Sequence, residues 1–251
     1  MISVNTNQGA MVALQTLNRT NSEMANTQNA IATGLKVASA KDNGAIWAIA
    51  SKMRSDVTAY DRVRESTDRA ASILDTGIAA GESIMELLNE MKGKALAGSQ
   101  AGLSGSARAA LAADFAQLRD QITSIGANAS FDGANMIGAT PDNAVALGDA
   151  AGGNTITVNG VSLALGGGVV TVAVAAVLTD ATTSATALGQ VNTSITALGT
   201  QLATWGAGAK RLEVHKTFIG KLQALQVKQQ LGVQALSIAN SSSQTALSLF
   251  R

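Results

Sequence analysis

The sequence predicts a mainly α protein, a long antiparallel helical hairpin or coiled-coil bundle that carries a small β-hairpin insert. Of its 251 residues, 46% are apolar but only 3% are aromatic, and Pro141 is the single proline, so little interrupts a helix. Long stretches toward both ends space their apolar residues three and four apart, as one face of a helix does. Between residues 129 and 179 the spacing changes to the alternation typical of strands.

Five stretches carry the helical stripe, and steps of three and four average about 3.5 residues, the period of helices that wind around one another. The second stripe is imperfect, because Arg64, Thr67 and Gly81 occupy stripe positions. The five stripes are formed by Met11, Leu14, Leu17, Met24 and Ile31; by Met53, Val57, Tyr60, Ala71, Leu74, Ile78, Met85 and Leu88; by Leu111, Phe115, Leu118, Ile122 and Ile125; by Leu188, Val191, Ile195, Leu198, Leu202, Trp205, Ala209 and Leu212; and by Leu222, Leu225, Leu231, Leu236 and Ile238.

The middle of the chain predicts a β-hairpin. Ile156 and Val158 alternate with polar residues, Asn159-Gly160 follows, and the alternation resumes after it. Asn-Gly between alternating apolar residues is a strong hairpin signal. Asp132-Gly133 predicts an earlier turn. Because this insert interrupts two helical arms, the arms are expected to return antiparallel to each other.

Charge and composition exclude several classes of function. The net charge is +1 and no lysine or arginine occurs between Arg119 and Lys210, which argues against nucleic-acid binding. The absence of cysteine excludes disulfides and thiol chemistry. Residues 161–178 carry no charge, but three glycines interrupt them and valine prevails over leucine, so we expect a small buried sheet and no membrane insertion. No cleaved secretory signal is expected at the N-terminus.

No arrangement of residues indicates catalysis. His215 is the single histidine and lies within a helical run, where a structural role is the simpler interpretation. No phosphate loop, histidine metal cluster or Ser-His-Asp pattern is found. Trp47 and Trp205 are interpreted as packing residues. The sequence therefore predicts no enzyme, no cofactor and no metal.

The apolar faces of the helices at both ends of the chain must be buried against other protein surfaces. Fully burying one leucine-sized side chain is worth about 1.5–3 kcal/mol, and one helix cannot cover a broad apolar face. We therefore expect the ends to be covered by each other and by further copies of the chain. The alternative is a helical binding module that stays monomeric.

Three segments resemble bacterial flagellin, the subunit of the flagellar filament. They are KVASAKDNGAIWAIASKMRSDV at 36–57, FDGANMIG at 131–138 and QQLGVQALSIANSSSQTALSLFR at 229–251. The resemblance implies two discontinuous helical layers: an inner one from 1–35 and 218–251, and an outer one from 36–139 and 180–217. Residues 140–179 would be a short variable insert. The related hook–filament junction proteins remain an alternative, although they usually carry larger middles.

The resemblance also implies partners and residue roles. It implies a helical homopolymer that other flagellins can join, unfolded export through the flagellar export apparatus, a cytoplasmic chaperone at the last helix, a filament cap and hook-associated junction proteins. Inner-layer packing and polymerisation would fall to Met11, Leu14, Leu17, Met24, Ile31, Leu225, Leu231, Leu236, Ile238, Leu247, Leu249 and Phe250. Outer-layer packing would fall to Leu74, Ile78, Leu111, Phe115, Leu118, Ile122, Ile195, Leu198, Leu202 and Trp205.

The sequence departs from the flagellin pattern at two places. An acidic stretch between the outer and inner C-terminal helices is absent, apparently some twenty residues, so the last two stripes could lie on one continuous helix. At the stretch that other flagellins present to a toll-like receptor, Lys92 and Lys94 replace arginines and Ala95 replaces a glutamate. Since lysine lacks the planar fork of arginine, weak receptor activation is expected.

Overall fold

The computed structural model describes residues 7–249, without the side chains of residue 230 and residues 233–249. Within this range the chain forms four helices and two strands. The helices are α1 (Gln8–Thr33), α2 (Gly44–Gly98), α3 (Gly105–Asn128) and α4 (Ala181–Leu249), and the strands are β1 (Ala144–Leu147) and β2 (Thr155–Val158). The predicted fold class, mainly α with a small antiparallel sheet, is confirmed.

The described residues fall into two compact units. Unit 1 comprises the residues up to Thr58 together with those from Gln223 onward, and unit 2 comprises Ala59–Leu222. The assignment of parts of the chain to inner and outer layers of a polymer stays a prediction.

In unit 2, α2 and α4 run antiparallel, as the sequence predicted. Two close approaches at glycines and one ion pair show which residues of α2 lie opposite which residues of α4. A Cβ at Gly98 would lie 2.9 Å from Ser184 Oγ, a Cβ at Gly81 would lie 2.8 Å from Leu202 Cδ2, and Lys216 Nζ lies 2.6 Å from Asp68 Oδ1. Gly81 breaks the apolar stripe of α2 because Leu202 of α4 occupies the space that a side chain there would need.

The core of unit 2 lies where α2, α3, α4 and the insert meet. Phe115 and Ile122 contribute the buried face of α3, which begins at the N-cap Ser104. Arg119 Nη1 of α3 donates to the carbonyl of Ala176 at 3.1 Å and holds the end of the insert against the helices. The largest fully buried side chains are Trp205, Phe115, Leu74, Ile84, Leu88, Met91, Ile122, Met136, Ile137, Leu163, Leu178 and Leu198.

The hairpin prediction is right about β2 and wrong about its partner. β2 pairs with β1, which precedes it, and the connection is residues 148–154. Asn159-Gly160 follows the sheet and forms no hairpin turn. Gly160 passes so close to the carbonyl of Asp142 that a Cβ would collide with it, and the Gly160 N–H donates to Asn143 Oδ1 at 3.0 Å. The glycine thus serves a close backbone approach, the other use of a residue without a Cβ.

The earlier turn prediction is confirmed. Asp132 and Gly133 both have positive φ, 50° and 79°, and the N–H and C=O groups of Phe131 and Ala134 bond across the turn. Two positive φ values in a two-residue loop are the signature of a type I′ turn. Arg69 of α2 forms an ion pair with Asp132 at 2.5 Å and so fixes the turn to the helix.

α4 continues from Ala181 to Leu249. The expectation that the last two stripes share one continuous helix is therefore confirmed. Residues 161–178, which the sequence predicted as a small sheet, contain no strand, and this prediction is wrong. Their backbone is instead tied to neighbouring segments, for example by Thr171 N–H to Ser194 Oγ at 2.9 Å.

In unit 1, a structured connector joins α1 to α2. Gly34 ends α1 with a φ of 65°, the left-handed conformation that glycine adopts readily. Asp42 Oδ2 then accepts hydrogen bonds from the N–H groups of Ala38 and Ser39 and from Ser39 Oγ. Asn43 caps α2, because its Oδ1 accepts from the N–H of Ile46 at 3.1 Å.

Candidate assembly surface

The apolar stripe of α1 faces solvent. Its five predicted residues are between 52% and 76% exposed, although they have the spacing of a packed helix. These residues are Met11, Leu14, Leu17, Met24 and Ile31. None of the residues of α1 is buried. Contiguous exposed apolar side chains are the usual mark of an interaction site.

Several polar side chains of α1 outside the stripe are satisfied by the helix itself. The hydroxyls of Thr16, Thr20 and Thr27 each donate to the carbonyl four residues earlier, at 2.8–3.0 Å. Arg19 and Glu23 form an exposed ion pair at 3.5 Å. These polar groups therefore have partners within the helix, whereas the apolar side chains of the stripe are left exposed.

The end of α4 in unit 1 adds to the exposed apolar surface. Leu225 and Leu231 are 61% and 60% exposed. The side chains of Leu236, Ile238, Leu247 and Leu249 and the whole of Phe250 lie outside the described part of the chain.

The start of α2 carries further exposed apolar residues that the sequence interpretation missed. Ile46, Trp47 and Ile49 are all exposed in unit 1. Trp47 was interpreted as a packing residue, but 36% of it is accessible. The signal was present in the segment GAIWAIASKM, where apolar residues outnumber polar ones just after the helix cap.

The residues predicted to pack the outer layer lie in the core of unit 2. Leu74, Phe115, Ile122, Leu198 and Trp205 are at most 1% exposed. Their five companions are half-buried against the same core; these are Ile78, Leu111, Leu118, Ile195 and Leu202. Trp205 also donates from Nε1 to the carbonyl of Asn159 at 3.0 Å, so it ties α4 to the insert.

The stretch compared with the receptor-facing region is only partly accessible. Lys92 is exposed, and Lys94 donates to Asp114 Oδ2 of α3 at 2.5 Å. Ala95 is fully buried and therefore presents no surface.

An open groove of about 460 Å³ follows the α2–α4 pair in unit 2. Its floor is formed by small residues such as Ala71 and Ala209, and its rim carries charges of both signs. On the rim, Lys210 donates to Glu213 at 2.6 Å, which holds the pKa of Glu213 below its ordinary value. The nearby His215 Nε2 is shielded from solvent and makes no hydrogen bond within the described chain.

The described residues contain neither a candidate membrane span nor a candidate metal site. No helix in that part of the chain is long and apolar enough to cross a membrane. In the same range, no group of three or more histidine, aspartate or glutamate side chains is placed to hold a metal ion.

Comparison with known proteins decides the family. Residues 4–141, more than half of the chain, match the family described as bacterial flagellin N-terminal helical region. The chain is 42% identical over 273 residues to Flagellin FljO of Caulobacter vibrioides, an alignment that covers 99% of this chain and 98% of FljO. The chain belongs to the bacterial flagellins. This flagellin is accordingly a structural subunit of the extracellular flagellar filament, a member of the alphaproteobacterial group that includes FljO.

Solved structures agree with this fold. The flagellin resembles the crystal structure of Bacillus cereus flagellin with a TM-score of 0.55 and 25% identity, over 61% of this chain and 88% of that one. It also resembles a putative flagellar hook-associated protein from Vibrio parahaemolyticus, with a TM-score of 0.51 over 79% and 99% of the two chains. Because identity to the latter is only 14%, that likeness shows the fold alone and does not favour the junction-protein alternative.

FljO contains residues that have no counterpart in this flagellin. Their alignment runs over 273 residues, whereas the chain has 251, so FljO contains at least 22 residues without a counterpart here. The size agrees with the acidic stretch that the sequence comparison found absent. Its position between the last two stripes stays a prediction.

Proposed function

We propose that this flagellin polymerises through the apolar faces of α1, the start of α2 and the end of α4. The observation that supports this proposal is the exposed stripe of α1, whose spacing is that of a buried helix. Full burial of a leucine-sized side chain contributes about 1.5–3 kcal/mol, so several such residues per subunit supply a large driving force for association. A net charge of +1 opposes association only weakly.

The same proposal includes the arrangement of the polymer. Residues 1–35 and 218–251 would form the inner layer, residues 36–139 and 180–217 the outer layer, and residues 140–179 a short exposed insert. Other flagellins of the same cell could join the polymer. Hook-associated junction proteins would meet it at the base and a filament cap at the growing tip.

Export before assembly is a further part of the proposal. A subunit with exposed apolar helices would associate prematurely if it folded inside the cell. Export in an unfolded state through the flagellar apparatus, with a cytoplasmic chaperone on the C-terminal helix, would prevent this. The absence of cysteine leaves the chain free of crosslinks during transit. We also propose that the subunit performs no catalysis.

The experiment compares two exposed apolar residues on different sides of α1. Leu17 lies on the stripe, whereas Val12 is similarly exposed but lies away from it, two residues before Leu14. Purified wild type, Leu17→Ser and Val12→Ser are mixed with short filament seeds, and elongation is followed by sedimentation and negative-stain electron microscopy. A chain that ends after Leu231 tests the C-terminal helix in parallel.

We expect the wild type and Val12→Ser to elongate, and Leu17→Ser and the shortened chain to stay soluble. The thermal unfolding of unit 2 should be the same in all four proteins, because the changes lie in unit 1. Elongation of Leu17→Ser at the wild-type rate would contradict assembly through this face.

We further propose that this flagellin activates the toll-like receptor for flagellin weakly. Lys92 is the exposed residue of the compared stretch, Lys94 is engaged with Asp114, and Ala95 is buried. A reporter-cell assay with wild type and the Lys92→Arg and Lys94→Arg double variant tests this. We expect a weak response that the double variant raises; a wild-type response as strong as that of a strongly stimulating flagellin would contradict it.

A further inference from the structure

One side of α4 in unit 2 carries an exposed row of apolar and basic residues. Arg211, Val214, Phe218 and Lys221 follow one another at steps of three and four, so they lie along one side of the helix, and we call them the α4 ridge. Val214 and Phe218 are 58% and 54% exposed. Arg211 Nη2 donates to the carbonyl of Thr157 at 2.8 Å, which leaves further N–H groups of the guanidinium for another partner. The charge of the ridge is therefore entirely positive.

The groove beside α2 and α4 contains one charge that is not compensated. Its lining includes two ion pairs, Asp68 with Lys216 and Lys210 with Glu213, each with an N–O distance of 2.6 Å. The remaining charged residue of the lining is Asp75, which is exposed and forms no ion pair with any residue in the described part of the chain. The groove therefore has a surplus negative charge.

The negative charge continues along α2 beyond the groove. Glu82 and Glu86 follow Asp75 after seven and eleven residues, which places all three on the same side of the helix. Both glutamates are exposed and form no ion pair within the described chain. Residues 181–209 of α4, which run past this part of α2, contain no charged residue. A positively charged surface would therefore find its complement here.

The ridge and the groove also match in shape. The groove has a volume of about 460 Å³ and is floored by small residues such as Ala71 and Ala209. Since a cavity of about 150 Å³ accommodates a benzene ring, the groove has room for the side chain of Phe218. None of the four ridge residues lines the groove, so ridge and groove lie on different sides of the α2–α4 pair. A ridge that enters such a groove must belong to another molecule.

We propose that the α4 ridge of one subunit docks into the groove of a second copy of the chain. Both surfaces lie in unit 2, every residue of which is described. A contact between two different surfaces leaves a free ridge on one copy and a free groove on the other, so it continues into an open filament. A flagellin, as a filament subunit, requires a contact of this kind.

The direction of the subunits sets the register of the contact. Equivalent subunits of a filament point the same way, so α4 of one copy runs antiparallel to α2 of the next. Phe218 in the middle of the groove then places Val214, one turn before it, at the level of Asp75. Arg211 lies a further turn on, between Asp75 and Glu82. The apolar part of the ridge thus fills the groove, and its arginine meets the unpaired carboxylates.

Introduced cysteines test this contact directly, because the chain has none of its own. The test variant carries Asp75→Cys and Val214→Cys, and the two single variants are also mixed in equal amounts. The control variant carries Glu90→Cys in place of Asp75→Cys, at an exposed acidic residue about 22 Å farther along α2. Filaments grown on wild-type seeds are treated with a short bis-maleimide crosslinker and separated on a denaturing gel.

We expect a ladder of dimers, trimers and larger products from the test variant, dimers from the mixture, and monomers from the control and from each single variant. A test variant that stays monomeric within filaments would overturn the inference. Dimers from one single variant alone would also overturn it, because two equal surfaces would then be in contact.

A second measurement needs no crosslinker. Phe218→Ala should raise the monomer concentration left at equilibrium with filaments at least about threefold, because the ring loses its buried site. Phe131→Ala is the control, since Phe131 is 42% exposed and belongs to neither surface. Equal monomer concentrations for wild type and Phe218→Ala would contradict the docking. The inference does not rest on the proposed function, which normal elongation of Leu17→Ser would overturn by itself.

Discussion

The stripe of α1 and the stripe of α4 within unit 2 have the same spacing but opposite environments. Along α4, Val191, Leu198 and Trp205 are fully buried, whereas Leu17 and Met24 of α1 are more than half exposed. The comparison teaches that periodicity shows which face of a helix is apolar but not what covers it. In unit 2 the cover comes from the same chain, and in unit 1 we propose that it comes from other copies.

Replacement of the two tryptophans tests this difference between the two units with the largest expected effect. Trp205 is fully buried and donates to Asn159, so Trp205→Ala should lower the free energy of unfolding of unit 2 by about 3–5 kcal/mol. Trp47 is partly exposed in unit 1, so Trp47→Ala should change the stability of the monomer by about 0.5 kcal/mol at most. Urea denaturation followed by circular dichroism measures both.

The tryptophan variants should also differ in how their filament elongation relates to the stability of the monomer. Trp47→Ala should reduce filament elongation without destabilising the monomer, because its side chain belongs to the proposed interface. If Trp47→Ala destabilised the monomer as much as Trp205→Ala, the subunit itself would already cover the start of α2, and the contrast between the two units would be wrong.

Two glycines provide a second, smaller contrast. A Cβ at Gly160 would collide with the backbone carbonyl of Asp142, which cannot move like a flexible side chain, so Gly160→Ala should cost about 1–3 kcal/mol. Gly93 is exposed on α2 with open space around its Cβ position, so Gly93→Ala should stabilise the protein by about 0.5–1 kcal/mol. Thermal unfolding of both variants against wild type tests these signs, and a neutral Gly160→Ala would show that the insert can shift.

The helices and their core were predictable because one residue type recurs at one spacing over long distances. The fourth stripe, for example, gives the buried face of α4 up to Leu212. The role of Gly160 was not predictable, because Asn-Gly signals either a turn or a close approach, and only the position of Asp142 decides between them. The exposure of α1 was hidden for a similar reason, since an exposed stripe has the same spacing as a buried one.

The smallest predicted effect concerns the start of α4, where the helix leaves the insert. Asp180 Oδ1 accepts a hydrogen bond from the N–H of Thr183 at 2.8 Å, and this bond is the main reason why the pKa of Asp180 lies below its ordinary value. Thr183 Oγ1 in turn accepts from the N–H of Asp180, which completes a reciprocal cap. Because the folded pKa is lowered, the carboxylate stabilises the fold above the ordinary aspartate pKa of about 3.9.

This stabilisation should be lost as the pH falls below about 3.9 and through the lower pKa of the folded state. Asp180→Asn keeps the acceptor oxygen but cannot titrate, so its melting temperature should fall less than that of wild type over the same acid range. Asp149 titrates with a lowered pKa in both proteins and cancels in the difference. If the melting temperatures of wild type and Asp180→Asn fell equally from neutral to acid pH, the charge on Asp180 would not contribute to the helix cap.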